Sequence, residues 1–249
     1  MQSVSVIQET ALPWPSLPHV YDPRLAPRHR RDMPSPIAAR AAHKCIIRAF
    51  KKDQQIFGEG IVAEFSAQVV TGAVRMSKLL GDGRRQIDAF HLAGGFFGIE
   101  SGPEHRFSAE ATVNTTVRVY RFGDLDSIAA DGQFAGKAVF AALVQSLECA
   151  QDHALLLGKK SAREKVSTFV LDLAERLASD KTIDLPMSRM DIADYLGLTI
   201  ETVSRTLTQL QRDGIIDLPC RRRAIVLRNK SALRRLANGD VDFTLSGTG

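Results

Sequence analysis

Cysteine is scarce: the chain has three, Cys45, Cys149 and Cys220, far apart and odd in number. That argues against a disulfide framework and against a cysteine-rich metal site, and it makes a reducing, cytoplasmic setting the expectation. Long apolar runs are missing too, since no stretch reaches the roughly 18 consecutive apolar residues of a transmembrane helix. The N-terminus has no basic-then-apolar signal pattern. Nor is there a nucleophile elbow, a phosphate-binding glycine loop or zinc-ligand spacing, so an enzyme is not expected.

What is present is unevenly placed positive charge. Residues 159–235 hold 16 Lys and Arg against 10 Asp and Glu, a net of +6, while the rest of the chain holds 17 against 18. A C-terminal segment carrying all of the excess has the electrostatic footprint of a module that meets phosphates.

The pattern along the chain changes four times. Residues 1–43 carry seven prolines (Pro13, Pro15, Pro18, Pro23, Pro27, Pro34 and Pro36) and read as a mobile tail. From 44 to 130, short strand-like runs alternate with turn signals. The runs are Ile46–Phe50, Gln55–Phe57, Ser66–Thr71, Ala73–Leu80, Arg85–His91, Ala109–Ala111 and Thr116–Phe122. Such a pattern predicts an antiparallel barrel or roll. Residues 131–160 turn helical, with Phe140, Leu143, Leu147, Ala150, Ala154 and Leu157 at 3-4-3-4-3 spacing. That seam predicts a dimerisation helix, because it links two distinct halves and suits a second copy of itself.

Residues 161–237 predict a helix over Ala162–Ser179, a short helix capped by Ser188, another capped by Thr199, a hairpin or wing over Ile215–Leu227, and a last helix over Ser231–Ala237. Residues 238–249 read as a disordered tail. The fold class is therefore α+β: a β-roll, a long helix and a winged helix-turn-helix.

The segment Met190–Arg205 carries the functional signal. Two helices in close approach need a small residue, and Ala193 supplies it. The tight turn needs a residue tolerant of positive φ four positions on, and Gly197 supplies it. The second helix needs an apolar anchor, and Val203 supplies it, with Ile192, Leu196, Leu198 and Leu207 filling the space between the helices. Glu201, Ser204, Arg205 and Thr208 then share the outer face of the second helix. Arg can donate twice to guanine, Glu can accept from cytosine, and Ser can bond or pack near a thymine methyl. Glu201, Ser204 and Arg205 are the expected base readers, with Glu201 and Arg205 also able to hold each other at i,i+4. Thr199, Thr202, Thr208, Arg189 and the wing residues Arg221, Arg222 and Arg223 are the expected backbone contacts. Lys159 and Lys160 read as a hinge surface.

A β-roll, a long helix and a winged helix-turn-helix in that order resemble the CRP/FNR superfamily of bacterial regulators, and the FixK group of rhizobial regulators in particular. The resemblance covers about residues 44–236 and is carried by Phe97–Ala111 and Leu196–Arg205. It implies a homodimeric transcriptional activator on palindromic sites with TTGA half-sites, acting with RNA polymerase on microaerobic or nitrogen-fixation genes. Ser204 stands where some FixK-type proteins carry cysteine, so a redox switch there is not expected.

The resemblance also bears on effectors. FNR-type clusters use N-terminal cysteines, and residues 1–44 have none. CRP-type proteins grip a cyclic-nucleotide phosphate with a Glu and an Arg-Ser pair. Glu100 lies in a matching Phe-Gly-x-Glu context, but the aligned Arg-Ser pair is missing and His105-Arg106 stands nearby instead. His91, His105 and His153 are the available haem-type ligands. FixK similarity implies no cofactor. The competing expectation is a ligand-gated relative that senses a small molecule, nucleotide or haem-bound gas in the roll.

Overall fold

The computed structural model describes residues 46–121, 133–219 and 223–239, with the side chains of 133–142 also left aside. The expected tail at 1–43 lies outside the described residues, as does the expected tail at 238–249 apart from Asn238 and Gly239, which end the last helix.

The runs rich in Val, Ile, Phe and Thr form antiparallel strands: β1 (Ile46–Phe50), β2 (Gln55–Phe57), β3 (Phe65–Thr71), β4 (Ala73–Leu79), β5 (Arg85–Leu92), β6 (Phe96–Phe97), β7 (Ser108–Ala111) and β8 (Thr115–Arg121). They make two four-stranded sheets, ordered β1-β8-β3-β6 and β2-β7-β4-β5. Between them lie Phe57, Ala67, Val69, Val74, Met76, Phe97, Ala109 and Val117. The chain crosses from β3 to β4 through Gly72 alone, at φ +91°. A Cβ there would sit 2.4 Å from Thr115 Oγ1 and 2.7 Å from the Asn114 carbonyl, so only glycine satisfies both the conformation and the space. β4 is buried at five consecutive positions. Val74 and Met76 face the roll interior, and the other parity, Ala73 and Arg75, faces the C-terminal half.

That half begins with α1 (Gln133–Lys159) and continues through α2 (Ala162–Arg176), β9 (Thr182–Asp184), α3 (Arg189–Leu196), α4 (Ile200–Arg212), β10 (Ile216–Asp217), β11 (Ala224–Leu227) and α5 (Lys230–Ala237). Capping fixes the helix starts. Ser161 and Glu164 form a reciprocal capping box at α2, and Ser188 and Asp191 form another at α3. The wing has three strands, β10-β11-β9, where the sequence suggested two. β9 is three residues long, too short to show alternation. Lys160 Nζ donates to Thr168 Oγ1 at 2.8 Å and to the Ala237 carbonyl at 3.0 Å, so the expected hinge is tied down to α2 and α5.

The two halves share one core. Ile87, Phe90 and Leu92 of the roll pack continuously with Phe169, Ile192, Ala193 and Leu196. The Phe90 ring lies 5.3 Å from that of Tyr195, and His153 of α1 stacks on Tyr195 at 4.0 Å. Arg176 of α2 donates to the Phe90 carbonyl.

Ions cross the same boundary. Arg75 Nη1 donates to Asp191 Oδ1 at 3.0 Å, and Arg85 Nη2 donates to the same oxygen at 2.8 Å. Arg85 Nε reaches Asp194 Oδ2 at 2.8 Å, while Arg75 Nε is held on the roll side by Glu110 at 2.8 Å. The second Asp191 oxygen accepts from the Ser188 amide at 2.9 Å and hydroxyl at 2.7 Å. Burial alone would raise the Asp191 carboxyl, but the Ser188 hydrogen bonds and the Arg75 and Arg85 charges outweigh it and hold the group below its usual range.

A carboxyl depressed on folding adds stability that is present above its unfolded pKa and lost as pH falls through the folded value. Melting temperature should therefore drop on acidification from pH 6 to pH 3, and Asp191→Asn should remove part of that slope. The same substitution should cost about 3 kcal/mol near neutral pH, because two arginines lose their buried partner. An unchanged pH slope in thermal unfolding of the variant would show that Asp191 is not held as described.

Candidate nucleic-acid interface

α3 and α4 meet as the sequence predicted. Ala193 is 1% exposed at the crossing. Gly197 closes α3 at φ 60°, ψ 41°, and a Cβ there would lie 3.4 Å from Leu157 Cδ2. The Leu198 amide donates back to the Ala193 carbonyl at 3.0 Å, and Thr199 caps α4 by accepting the Thr202 amide at 3.2 Å. Lys165 Nζ donates to the Leu196 carbonyl at 3.2 Å, placing a cation at the C-terminal end of α3. Ile192, Leu196, Val203, Leu207 and Leu210 are buried behind the helix, with Leu198 and Ile200 packed against the same core.

The opposite face of α4 is polar and open. Glu201, Arg205 and Thr208 are exposed, and Ser204 sits half-buried between them. Thr208 Oγ1 donates to the Ser204 carbonyl at 2.9 Å, which leaves only its lone pairs for outside donors. Thr202 Oγ1 lies 3.0 Å from Thr199 Oγ1. The expected Glu201–Arg205 pairing is not formed: the two side chains make no ion pair or hydrogen bond with each other. An exposed i,i+4 pair is worth about 0.3–0.5 kcal/mol, which water readily replaces. Both charges therefore stay free for an incoming ligand. Arg189, the first residue of α3, and Arg223 at the end of the wing are exposed as well. Arg221 and Arg222 lie outside the described residues.

α1 has one open face and one packed face. Leu143 and Leu147 of the expected seam are 45% and 58% exposed, and Ala150 and Ala154 are exposed beside them. Phe140 lies in the helix with its side chain outside the described set. Leu157 departs from the seam, because it is half-buried beside the Gly197 turn. His153 and Leu156, on the other face, are buried against the C-terminal half, and His153 Nε2 lies 2.8 Å from the Tyr195 carbonyl oxygen.

In the roll, the residues expected around an effector are engaged with the protein. Glu100 accepts the Arg106 amide at 3.2 Å. His105 is 1% exposed and stacks on Phe57 at 3.7 Å, and neither ring nitrogen has a hydrogen-bond partner. Burial pushes its imidazole down against the pull of Glu100, whose Oε1 is 3.7 Å from Nδ1. The Arg106 guanidinium lies 5.5 Å from the Phe107 ring centre. This donor set does not reproduce a bidentate grip on a cyclic phosphate. Burial and the Arg176 charge push His91 down to about 4. Among the described residues no group of three His, Cys, Asp or Glu side chains is placed to hold a metal.

The residues that sequence reasoning missed are Arg75 and Arg85. They lie 116 and 106 positions from Asp191, and no local pattern announces a pairing across that distance.

Comparison with known proteins places these features. Residues 47–129 match the Cyclic nucleotide-binding domain family, and residues 164–236 match the Crp-like helix-turn-helix domain family. The chain is 50% identical over 193 residues to the nitrogen fixation regulation protein FixK of Azorhizobium caulinodans, covering 75% of this chain and 77% of that one. It is 40% identical to the nitrogen fixation regulation protein FixK of Rhizobium meliloti, covering 78% and 88%. The solved structure of FixK2 from Bradyrhizobium japonicum superposes with a TM-score of 0.73 at 49% identity, covering 77% of this chain and 96% of that one. No described helix is long and apolar enough to cross a membrane. With a matching domain on each side of α1 and a relative half identical across three quarters of the sequence, the chain belongs to the CRP/FNR family as a FixK/FNR-type transcriptional activator, a DNA-binding regulator and not an enzyme.

Proposed function

We propose that the chain works in the cytoplasm as a homodimer that binds palindromic DNA with TTGA-type half-sites, recruits RNA polymerase, and activates microaerobic or nitrogen-fixation genes. The observation that carries the DNA reading is the open face of α4, where Glu201 and Arg205 hold uncompensated charges one turn apart with Ser204 between them. In this reading Glu201 and Arg205 address the G·C pair and Ser204 packs near thymine. Thr199, Thr202, Thr208, Arg189, Arg221, Arg222 and Arg223 hold the phosphates. The names of the FixK relatives support the choice of target genes.

Dimerisation is supported by the exposed stripe Leu143, Leu147, Ala150 and Ala154, which would place two copies of α4 about one DNA turn apart. Action without an effector is supported by the roll. His105 fills the space beside Phe57 with its own ring, and Arg106 rests against Phe107. One observation favours a second reading, a ligand-gated regulator. His105 is a buried imidazole without a hydrogen-bond partner, beside Glu100. A small polar molecule would satisfy it. Measuring DNA affinity of the purified protein with and without extracts of small molecules separates the two: a gating ligand raises specific affinity by about fivefold or more.

Selection of bound sequences from random DNA should recover paired TTGA half-sites. Arg205→Ala should weaken the selected site by about 1–3 kcal/mol and relax preference at one base pair, and an unchanged specificity profile would remove Arg205 from base reading. Leu147→Asp should convert the protein to monomers in light scattering and abolish palindrome binding, and an intact dimer would discard the seam. Neutralising Arg221, Arg222 and Arg223 together should weaken all DNA sequences alike and flatten the dependence of affinity on salt.

A further inference from the structure

The contacts between roll and helix-turn-helix include an apolar part, an ionic part and one long neutral hydrogen bond, from Gln86 Nε2 to the Tyr195 carbonyl at 3.4 Å. The apolar part, Phe90 and Ile87 against Tyr195 and Ile192, tolerates small rotations, because dispersion and apolar burial have little directionality. The ionic part does not. Arg85 spans two carboxylates one helical turn apart, with Nε on Asp194 and Nη2 on Asp191, both at 2.8 Å. A planar guanidinium that reaches two acceptors fixes both distance and orientation. Arg75 adds a third arginine–carboxylate bond across the boundary, to Asp191, and its own direction is set from the roll by Glu110 at 2.8 Å and Asp53 at 3.4 Å. Asp191 is at the same time the reciprocal cap of α3. α3 is in turn joined rigidly to α4 through the buried Ala193 and the Gly197 turn. The angle of α4 relative to the roll therefore passes through these four side chains.

We infer that Arg75, Arg85, Asp191 and Asp194 are positioning residues for DNA recognition: they set the tilt of the recognition helix and thereby the half-site spacing that the protein reads. None of them lies on the reading face of α4, and their effect on DNA passes through α3. The inference rests on the palindromic, dimeric reading proposed above. With two copies of α4 held at a fixed separation, an error in tilt is felt at both half-sites, so spacing preference is the sensitive readout.

The test measures the full-length protein on three palindromes: the preferred spacer, one base pair shorter and one base pair longer. The wild type should bind the preferred spacer best. Arg85→Gln should lose about fivefold or more on that spacer while the other two change less than about twofold, which flattens the preference. Arg85→Lys should fall between, since an ammonium cannot reach both carboxylates in fixed geometry. Asp194→Asn, which leaves the Asp191 cap intact, should shift the preference in the same direction by less. A purely structural role would reduce the folded fraction and lower binding to every spacer by one common factor. That uniform loss, or an unchanged profile in both Arg85→Gln and Asp194→Asn, overturns the inference. A wild type with no preference among spacers overturns the palindromic reading and the inference with it. A peaked wild type with Arg85→Gln and Asp194→Asn both equally peaked overturns the inference alone.

Discussion

The Asp191 carboxylate has left water almost completely, with its side chain 4% exposed, and a buried charge persists only when its lone pairs are filled and its charge is matched. Here both conditions are met at once. One oxygen takes the Ser188 amide and hydroxyl, and the other takes Arg75 and Arg85. The first pair starts α3. The second fastens α3 to the roll. An eight-residue helix cannot pay for its own nucleation in water, so its existence in this place depends on tertiary contacts at both ends. Asp191 supplies them at the start, and Gly197 with Lys165 supplies them at the finish.

The remainder of the architecture follows from that anchorage. With α3 fixed, Ala193 lets α4 approach, and the buried row Val203, Leu207 and Leu210 turns its polar row outward. The long helix has two different faces. His153 and Leu156 press on the C-terminal half, while Leu143 and Leu147 remain open. The single shared core running from Ala73 to Ala237 means that the roll and the winged helix are not beads on a string.

How much of this was legible depended on distance along the chain. The helix-turn-helix was readable because its constraints are local: a cap, a small residue, a left-handed turn and a 3.6 period all fall within 25 residues. The long helix and the roll were readable from a change of period. Strands β6 and β9 escaped because two or three residues carry no alternation. The Glu201–Arg205 pair was suggested by spacing and declined by solvent. Leu157 fitted the heptad, but the turn at Gly197 claimed it. The arginine clamp was invisible, because a pairing across more than 100 positions is decided by how sheet and helix dock and leaves no trace in any local window.

The clamp also bears on how such proteins can be recombined. The junction of α1 and α2 at Lys160-Ser161 is where sequence alone would divide the protein for exchanging DNA-binding modules between relatives. A graft made there carries Asp191 and Asp194 away from Arg75 and Arg85, which stay behind on β4 and β5 of the donor roll. The unit of inheritance for a working reader is thus larger than the winged helix. It includes two positions of a β-hairpin that sequence places in the other domain.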